Sequence, residues 1–245
     1  GGRCGHVIFQ CPTKEGKGVL VSPTTGGNLI VGPNAEGCGR DDVANTAQGL
    51  KYVRSKAVMS IPAIAFRENI RNFAGVRANS DQPDFIIGES RSVKGFINAA
   101  GICSPGLSSA PAIGVKVREI LEGIGLEAAR KADFDDSRRR IKFKTLSPEE
   151  QNRLIELDSR YGRVICRCET VTEGEIVASL HTLIPPVSIN GVKRRVGAGM
   201  GRCQGGFCGP RVQEIIAREL NMPMEDVLMD SEGTYVLTGQ TKGEE

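Results

Sequence analysis

Apolar positions along this chain change period several times. Residues 5–11, 18–21 and 28–31 are short apolar runs separated by the turn-forming stretches Pro12-Thr13-Lys14 and Thr24-Thr25-Gly26-Gly27, a pattern that predicts three strands. Residues 41–55 take up a helical pattern. Asp41 and Asp42 stand where the helix macrodipole favours acids, Lys51 and Arg54 lie near the other end, and Pro62 bars continuation. Three further strands are expected over 73–78, 84–87 and 95–100. A small-residue loop, GICSPGLSSAPA at 101–112, then leads into a helix whose stripe is Ile113, Val117, Ile120, Leu121 and Ile124.

Beyond this helix the character changes. Residues 127–146 carry Arg130, Lys131, Arg138, Arg139, Arg140, Lys142 and Lys144 against Asp133, Asp135 and Asp136, without the aromatic interleaving of a nucleic-acid patch, and read as a solvated linker. Ser147, Pro148, Glu149 and Glu150 form a helix start: an N-cap, a proline in the first turn and two acids at the positive end. Helices are predicted over 172–183, with Ile176 and Leu180 inward, and over 210–220, with Val212, Ile215, Ile216 and Leu220 inward. Residues 189–196, turning at Asn190-Gly191, read as a hairpin. The fold class is α+β: a mixed-sheet domain over 1–125, a basic linker over 126–150, a small, mainly helical domain over 151–230 and a polar tail over 231–245.

Composition narrows the function classes. With 245 residues, 39% of them hydrophobic, the chain has enough apolar surface to fold, and a net charge of +3 is too small to argue for nucleic acid. No apolar run approaches a membrane span, and no secretory leader is visible. The chain opens Gly-Gly-Arg-Cys without a methionine, so it is expected to be the tail of a longer protein. Eight cysteines in this pattern are not a secreted disulfide scaffold; a reducing cytoplasm fits them, with attachment at a membrane surface as a second placement. Cys4, Cys11, Cys38 and Cys103 are scattered and read as buried or half-buried free thiols.

The other four carry chemistry. Cys166 and Cys168 make a C-x-C pair, and Cys203 and Cys208 a C-x4-C pair. Thiolates ligate both iron–sulfur clusters and structural zinc. Two local pairs suit a binuclear cluster with two thiolates on each iron. C-x-C is uncommon in zinc knuckles, but zinc and redox-active thiols stay open on spacing alone. Glycines 197, 199, 201, 205, 206 and 209 surround the second pair and let backbone N–H groups approach sulfur. Cys208 stands just before a helix start, which is expected to lower its thiol pKa. The Gly-Ala-Gly-Met-Gly run at 197–201 fails as a dinucleotide loop, because the third required glycine falls on Arg202.

Two resemblances attach to these motifs. VICRCETVTEGEI (164–176) with GAGMGRCQGGFCGPRVQEII (197–216) resembles the bacterioferritin-associated-ferredoxin-like 2Fe-2S domain, which implies a 2Fe-2S cluster on Cys166, Cys168, Cys203 and Cys208. Residues 73–121, with Gly75-Val76-Arg77, PDFIIG, INAAG and the small-residue loop before a helix, resemble the C-terminal half of the D-amino-acid-oxidase/glycerol-3-phosphate-dehydrogenase family of flavoproteins. That resemblance implies FAD. It assigns Gly75, Gly101, Ile102, Cys103, Ser104, Pro105, Gly106, Leu107 and Ser108 to flavin contact, and Arg77 to the anionic group of the substrate. His6, on an expected strand, is a second substrate-binding candidate, whereas His181 reads as a helix-end residue.

The N-terminal G-x-G-x-x-G unit of that family is absent, so this chain alone is expected to bind FAD poorly and to be inactive. Family members with a ferredoxin-like tail are glycerol-3-phosphate dehydrogenases or L-2-hydroxyglutarate dehydrogenases/oxidases, which this half does not separate. The implied protein oxidises a small anionic secondary alcohol through FAD and passes electrons through the 2Fe-2S centre to an acceptor protein or a quinone. No catalytic base can be named. The rival from another class is a non-catalytic module around a four-cysteine zinc.

Overall fold

The computed structural model describes residues 4–12, 18–137, 140–239 and 241, in two compact units, Gly1–Asp136 and Ser137–Glu245. The division falls inside the segment read as a linker. Part of the expected turn at residues 12–14, Arg138 and Arg139 of the basic run, and most of the last residues of the tail lie outside the described residues.

The α+β class holds, but the described strand pairings are three separate two-stranded antiparallel sheets rather than one mixed sheet. Neighbouring strands joined by short connections pair antiparallel. In the first unit β1 (Leu20–Pro23) pairs with β2 (Leu29–Gly32), Val21 facing Val31. The turn between them is closed by Thr24, whose N–H donates to the Asn28 carbonyl at 2.8 Å and whose hydroxyl accepts from Asn28 N–H at 3.1 Å. Residues 5–11 contribute only a bridge from Ile8 to Val21.

Helix α1 (Ala47–Ser60) starts later than its acids suggest. The cap is Thr46, whose hydroxyl accepts from Gly49 N–H at 3.0 Å, while Asp42 accepts from Ala44 N–H in the preceding turn. Ile61, extended before Pro62, ends the helix as a pre-proline residue should. Val19 and Val21 are fully buried in one cluster with Ala57, which α1 itself contributes.

Strands β3 (Ile86–Glu89) and β4 (Ile97–Ala100) pair with Gly88 opposite Asn98. Helix α2 (Gly106–Gly123) begins inside the segment read as loop, so the loop is only residues 101–105. Residues 73–78 form no strand. Ala74, Gly75 and Ala78 offer little to bury, and Phe73 and Val76 are exposed. Alternation without a partner edge does not make a strand.

The second unit has the larger core. Helix α3 (Pro148–Leu157) carries the complete capping box between Ser147 and Glu150. Strands β5 (Val164–Cys166) and β6 (Val171–Thr172) lead into α4 (Glu173–Leu180), which has a second capping box between Thr172 and Glu175. Glu175 also accepts from Phe143 N–H at 3.2 Å, and Phe143, itself buried, stacks on Tyr161 with ring centroids 6.5 Å apart. Part of the segment read as linker therefore packs in this unit.

The hairpin expected at 189–196 is instead α5 (Ile189–Val196). Ser188 caps it, Gly197 ends it in the left-handed conformation, and Ile189, Val192 and Val196 follow helical rather than alternating spacing. Lys193, Arg194 and Arg195 occupy its last turn, where the macrodipole favours cations. Helix α6 (Gly209–Leu220) turns Val212, Ile215 and Ile216 into a core shared with Ile176, Val177, Val192 and Val227. No helix among the described residues is long and apolar enough to cross a membrane.

Candidate metal centre

The two cysteine pairs, with 34 residues between them in sequence, line one open cleft of about 770 Å³ in the second unit. Cys166 ends β5, and Cys168 lies in the turn before β6. Cys203 sits in the glycine loop after α5, and Cys208 immediately precedes α6. Cys168 Sγ and Cys203 Sγ are 3.6 Å apart, and Cys166 neighbours Cys208 closely enough to raise its pKa. Cys166 and Cys208 are buried, Cys203 is half-buried and Cys168 is exposed.

The glycine loop permits this approach. Gly199 and Gly205 both have positive φ, at 88° and 89°, and a Cβ on Gly199 would touch Gly205 Cα at 3.6 Å. The loop is held shut by the Gln204 side-chain amide, which donates to the carbonyls of Met200 and Gly201 at 3.1 and 3.0 Å.

The two thiols of the second pair differ in acidity. Backbone N–H groups of Phe207 and Gly205, then the Cys168 thiol, lower the Cys203 pKa. Cys208 goes the other way from the sequence expectation: burial first, then the neighbouring Cys166, pushes its thiol up to about 12. The helix start is present, but desolvation and a crowded sulfur outweigh it. Four sulfurs crowded into one cleft make a donor set that gains from a shared cation. Among the described residues no three His, Cys, Asp or Glu side chains converge to hold a single ion. Two pairs of thiols fit a unit of two metal atoms better than one tetrahedral ion.

Sequence reading missed the rim of the cleft. Arg163, Arg167, Arg211 and Arg218 line it together with Glu173, Glu214 and Phe207. Glu173, at the first turn of α4, is only 2% exposed and binds Arg163 Nη1 at 2.5 Å and Arg218 Nη2 at 2.7 Å. The signal was present: one arginine precedes the C-x-C pair at 163, another sits inside it at 167, and a third follows the second pair at 211.

In the first unit, His6 is exposed, and its carbonyl accepts from the Cys4 thiol at 2.9 Å. Arg77 and Gly75 are exposed, and no hydrogen bond or ion pair among the described residues joins Arg77 to His6. Gly101, with φ +68°, passes against the 80–84 segment, where a Cβ would meet Ser80 Oγ at 3.1 Å and the Asp84 carbonyl at 3.3 Å. Cys103 Sγ lies 3.5 Å from Asn79 Oδ1. The helix that follows has no side-chain cap; the Ser108 and Ser109 hydroxyls both donate to the Pro105 carbonyl, at 3.0 and 2.7 Å. The scattered thiols are more open than expected: Cys11, Cys38 and Cys103 are exposed and Cys4 is half-buried. They lie in loops, where little apolar surface is available to cover them.

Comparison with known proteins matches residues 3–120 to the FAD-dependent oxidoreductase family DAO and residues 164–218 to the BFD-like 2Fe-2S binding domain. The chain joins part of an FAD-dependent oxidoreductase domain to a BFD-like 2Fe-2S domain. It is 52% identical over 241 residues to a glycerol 3-phosphate dehydrogenase of Caloramator mitchellensis, covering 98% of this chain and 50% of that protein. A glycerol 3-phosphate oxidase of Mycoplasma genitalium is 36% identical over 118 residues, covering 47% of this chain and 31% of that protein. Hydrogen cyanide synthase subunit HcnB of Pseudomonas aeruginosa is 41% identical over 70 residues, covering 27% and 14%. The chain thus spans half or less of the length of these relatives. No solved structure matches it. FAD and a 2Fe-2S cluster are the cofactors these two domains imply, and the four cysteines lie within or at the bounds of the matched 2Fe-2S domain, on one cleft.

Proposed function

We propose that this chain serves an FAD-dependent dehydrogenase that oxidises glycerol 3-phosphate and releases its electrons through a 2Fe-2S centre on Cys166, Cys168, Cys203 and Cys208. The observation that carries the reading is the 52% identity across 98% of the chain, both units included, to a glycerol 3-phosphate dehydrogenase. The glycerol 3-phosphate oxidase favours the same substrate over 2-hydroxyglutarate. FAD supplies a two-electron acceptor for the alcohol carbon, and the iron–sulfur centre a one-electron outlet to a protein or a quinone.

The chain's own residues have the following parts. Residues 101–105, and the uncapped N-terminus of α2 through Ser108, present backbone N–H groups to the flavin, as helix starts do to electron-rich groups. Gly75, on which a Cβ would meet nothing within 4 Å, would leave room beside the flavin. Arg77, exposed and with a bidentate fork, takes the substrate phosphate, and His6 lies on the substrate side.

The test is the full-length flavoprotein, prepared without oxygen and mixed with substrate while flavin absorbance is followed. Bleaching by glycerol 3-phosphate, and not by L-2-hydroxyglutarate, is expected. Bleaching by the 2-hydroxy acid alone overturns the substrate assignment, and a protein that holds zinc with neither iron nor sulfide overturns the electron-transfer reading.

A further inference from the structure

The cleft that holds the four cysteines has a rim of one dominant charge. Arg163, Arg167, Arg211 and Arg218 stand on it against two carboxylates, Glu173 and Glu214. Those carboxylates do not present themselves equally. Glu173 is 2% exposed and is spent on holding Arg163 and Arg218, whose own side chains remain 67% and 51% exposed. Arg211 is 68% exposed beside the half-exposed Glu214. Arg167, between two of the cysteines, is exposed. A body approaching the cleft therefore meets guanidinium groups.

Within this basic rim lie two exposed large apolar side chains, Val164 at 42% and Phe207. Phe207, between Cys203 and Cys208, is 85% exposed on the cleft lining. Among the described phenylalanines it is the most exposed, and it stands at the mouth of the cysteine cleft. An aromatic anchor ringed by arginines is the composition enriched at protein interfaces.

We propose that this cleft mouth is the docking surface for an acidic one-electron carrier protein. The proposal rests on the reading of the four cysteines as ligands of the 2Fe-2S centre, and it selects a protein over a quinone as the acceptor. Charge complementarity decides the occupant: arginines draw in carboxylates, and Phe207 seats the encounter complex once the charges have brought it near. A quinone has no formal charge for the rim to attract. In the step itself one electron passes from the reduced domain to the oxidised carrier, with no bond made or broken and no proton required. Small transient redox contacts of this kind need little buried area, so a single cleft and its rim are enough.

The experiment uses the full-length holoprotein, reduced anaerobically and mixed with purified acidic flavodoxin as the probe and with basic cytochrome c as the opposite-charge probe. The variants are R167E/R211E, F207A and, as a control, R153E, which is exposed on α3 and off the cleft. Cluster content from visible absorbance and the midpoint potential are measured for each, so a wild type without iron–sulfur absorbance marks failure of the metal reading rather than of the docking reading. The expected result is a second-order rate to flavodoxin that falls with salt and falls about tenfold or more in R167E/R211E, with R153E within about twofold of wild type. F207A is expected to slow transfer without changing its salt dependence, and cytochrome c is expected to gain from the charge reversal. Equal effects on both probes, or no effect on either, overturn the proposal. So does faster reaction with a quinone that is untouched by the variants. Loss of transfer from flavin to cluster inside the protein, with the external rate unchanged, also overturns it and assigns the face to the protein's own flavin half.

Discussion

Gly201 lies so close to Cys168 that a Cβ at position 201 would stand 2.2 Å from Cys168 Cβ and 3.2 Å from its Sγ. The two residues come from the two halves of the cysteine constellation, so this contact sets how near the C-x-C turn can come to the glycine loop. Gly201→Ala is expected to push the Cys168 thiol away from Cys203 and to cost the protein its cluster. Iron and sulfide per chain and the visible absorbance should fall together, while far-UV circular dichroism stays that of the wild type. A Gly201→Ala protein with full cluster content contradicts the packing.

Gly174 presents a second close approach. A Cβ there would meet the Tyr161 ring at 2.6 Å, and Tyr161 is itself buried and stacked on Phe143. Alanine gains about 1 kcal/mol over glycine in a helix interior, but overpacking a filled core costs about 1–3 kcal/mol. The clash, at well under contact distance, falls at the upper end. Gly174→Ala should therefore lower unfolding free energy by about 1–2 kcal/mol in denaturant titration. Gly174→Ala in a Tyr161→Leu background should cost less than it does alone.

The site was more legible in the sequence than the fold around it. Thiolate ligands need a residue type that occurs rarely and pairs visibly, so Cys166, Cys168, Cys203 and Cys208 stood out before any packing was known. The cap at Ser147 was legible for a similar reason, because its bonds run within four residues. Residues 189–196 were not. Asn190-Gly191 is a strong turn signal, and besides the Ser188 cap it is the carbonyls of Leu228 and Met229, which accept the first N–H groups of α5, that tip the segment to helix. Those acceptors are nearly forty residues away, beyond any local window. The rim arginines were visible as letters, but Glu173, the carboxylate that fixes two of them, becomes meaningful only when α6 brings Arg218 beside it.

Arg194 and Asp230 form a two-point ion pair, with Nη1 to Oδ1 at 2.7 Å and Nη2 to Oδ2 at 2.6 Å, that ties α5 to the segment after Leu228. The Arg194 hydrogen bonds hold the Asp230 carboxyl below its ordinary value of 3.8. A depressed acid stabilises the fold above its unfolded pKa and loses that contribution as pH falls through the folded value. Both side chains are more than a third exposed, so solvent screening limits the pair to about 0.5–1 kcal/mol. Asp230→Asn should cost that amount at neutral pH. The gap between variant and wild type should close as pH drops below about 4. A gap that persists undiminished at pH 2 would place the effect in packing instead of charge.

Glu173 and Arg218 are expected to move the cluster's midpoint potential in opposite directions. Both line the cleft of the four cysteines, and each is the other's partner at 2.7 Å. Accepting an electron adds negative charge at the centre, so a nearby cation favours the reduced state and a nearby anion disfavours it. Glu173→Gln removes the anion and keeps the shape, and the potential should rise. Arg218→Gln removes a cation, and the potential should fall. For charges about 10 Å from the centre at an effective dielectric of about 30, Coulomb's law gives about 1 kcal/mol. That is about 45 mV for a one-electron couple. A purely structural role for the pair would loosen the fold in both variants and shift the potential the same way in each. Redox titration of the two holoproteins separates the cases: shifts of the same sign would show that the pair holds the cleft together without setting its electrostatics.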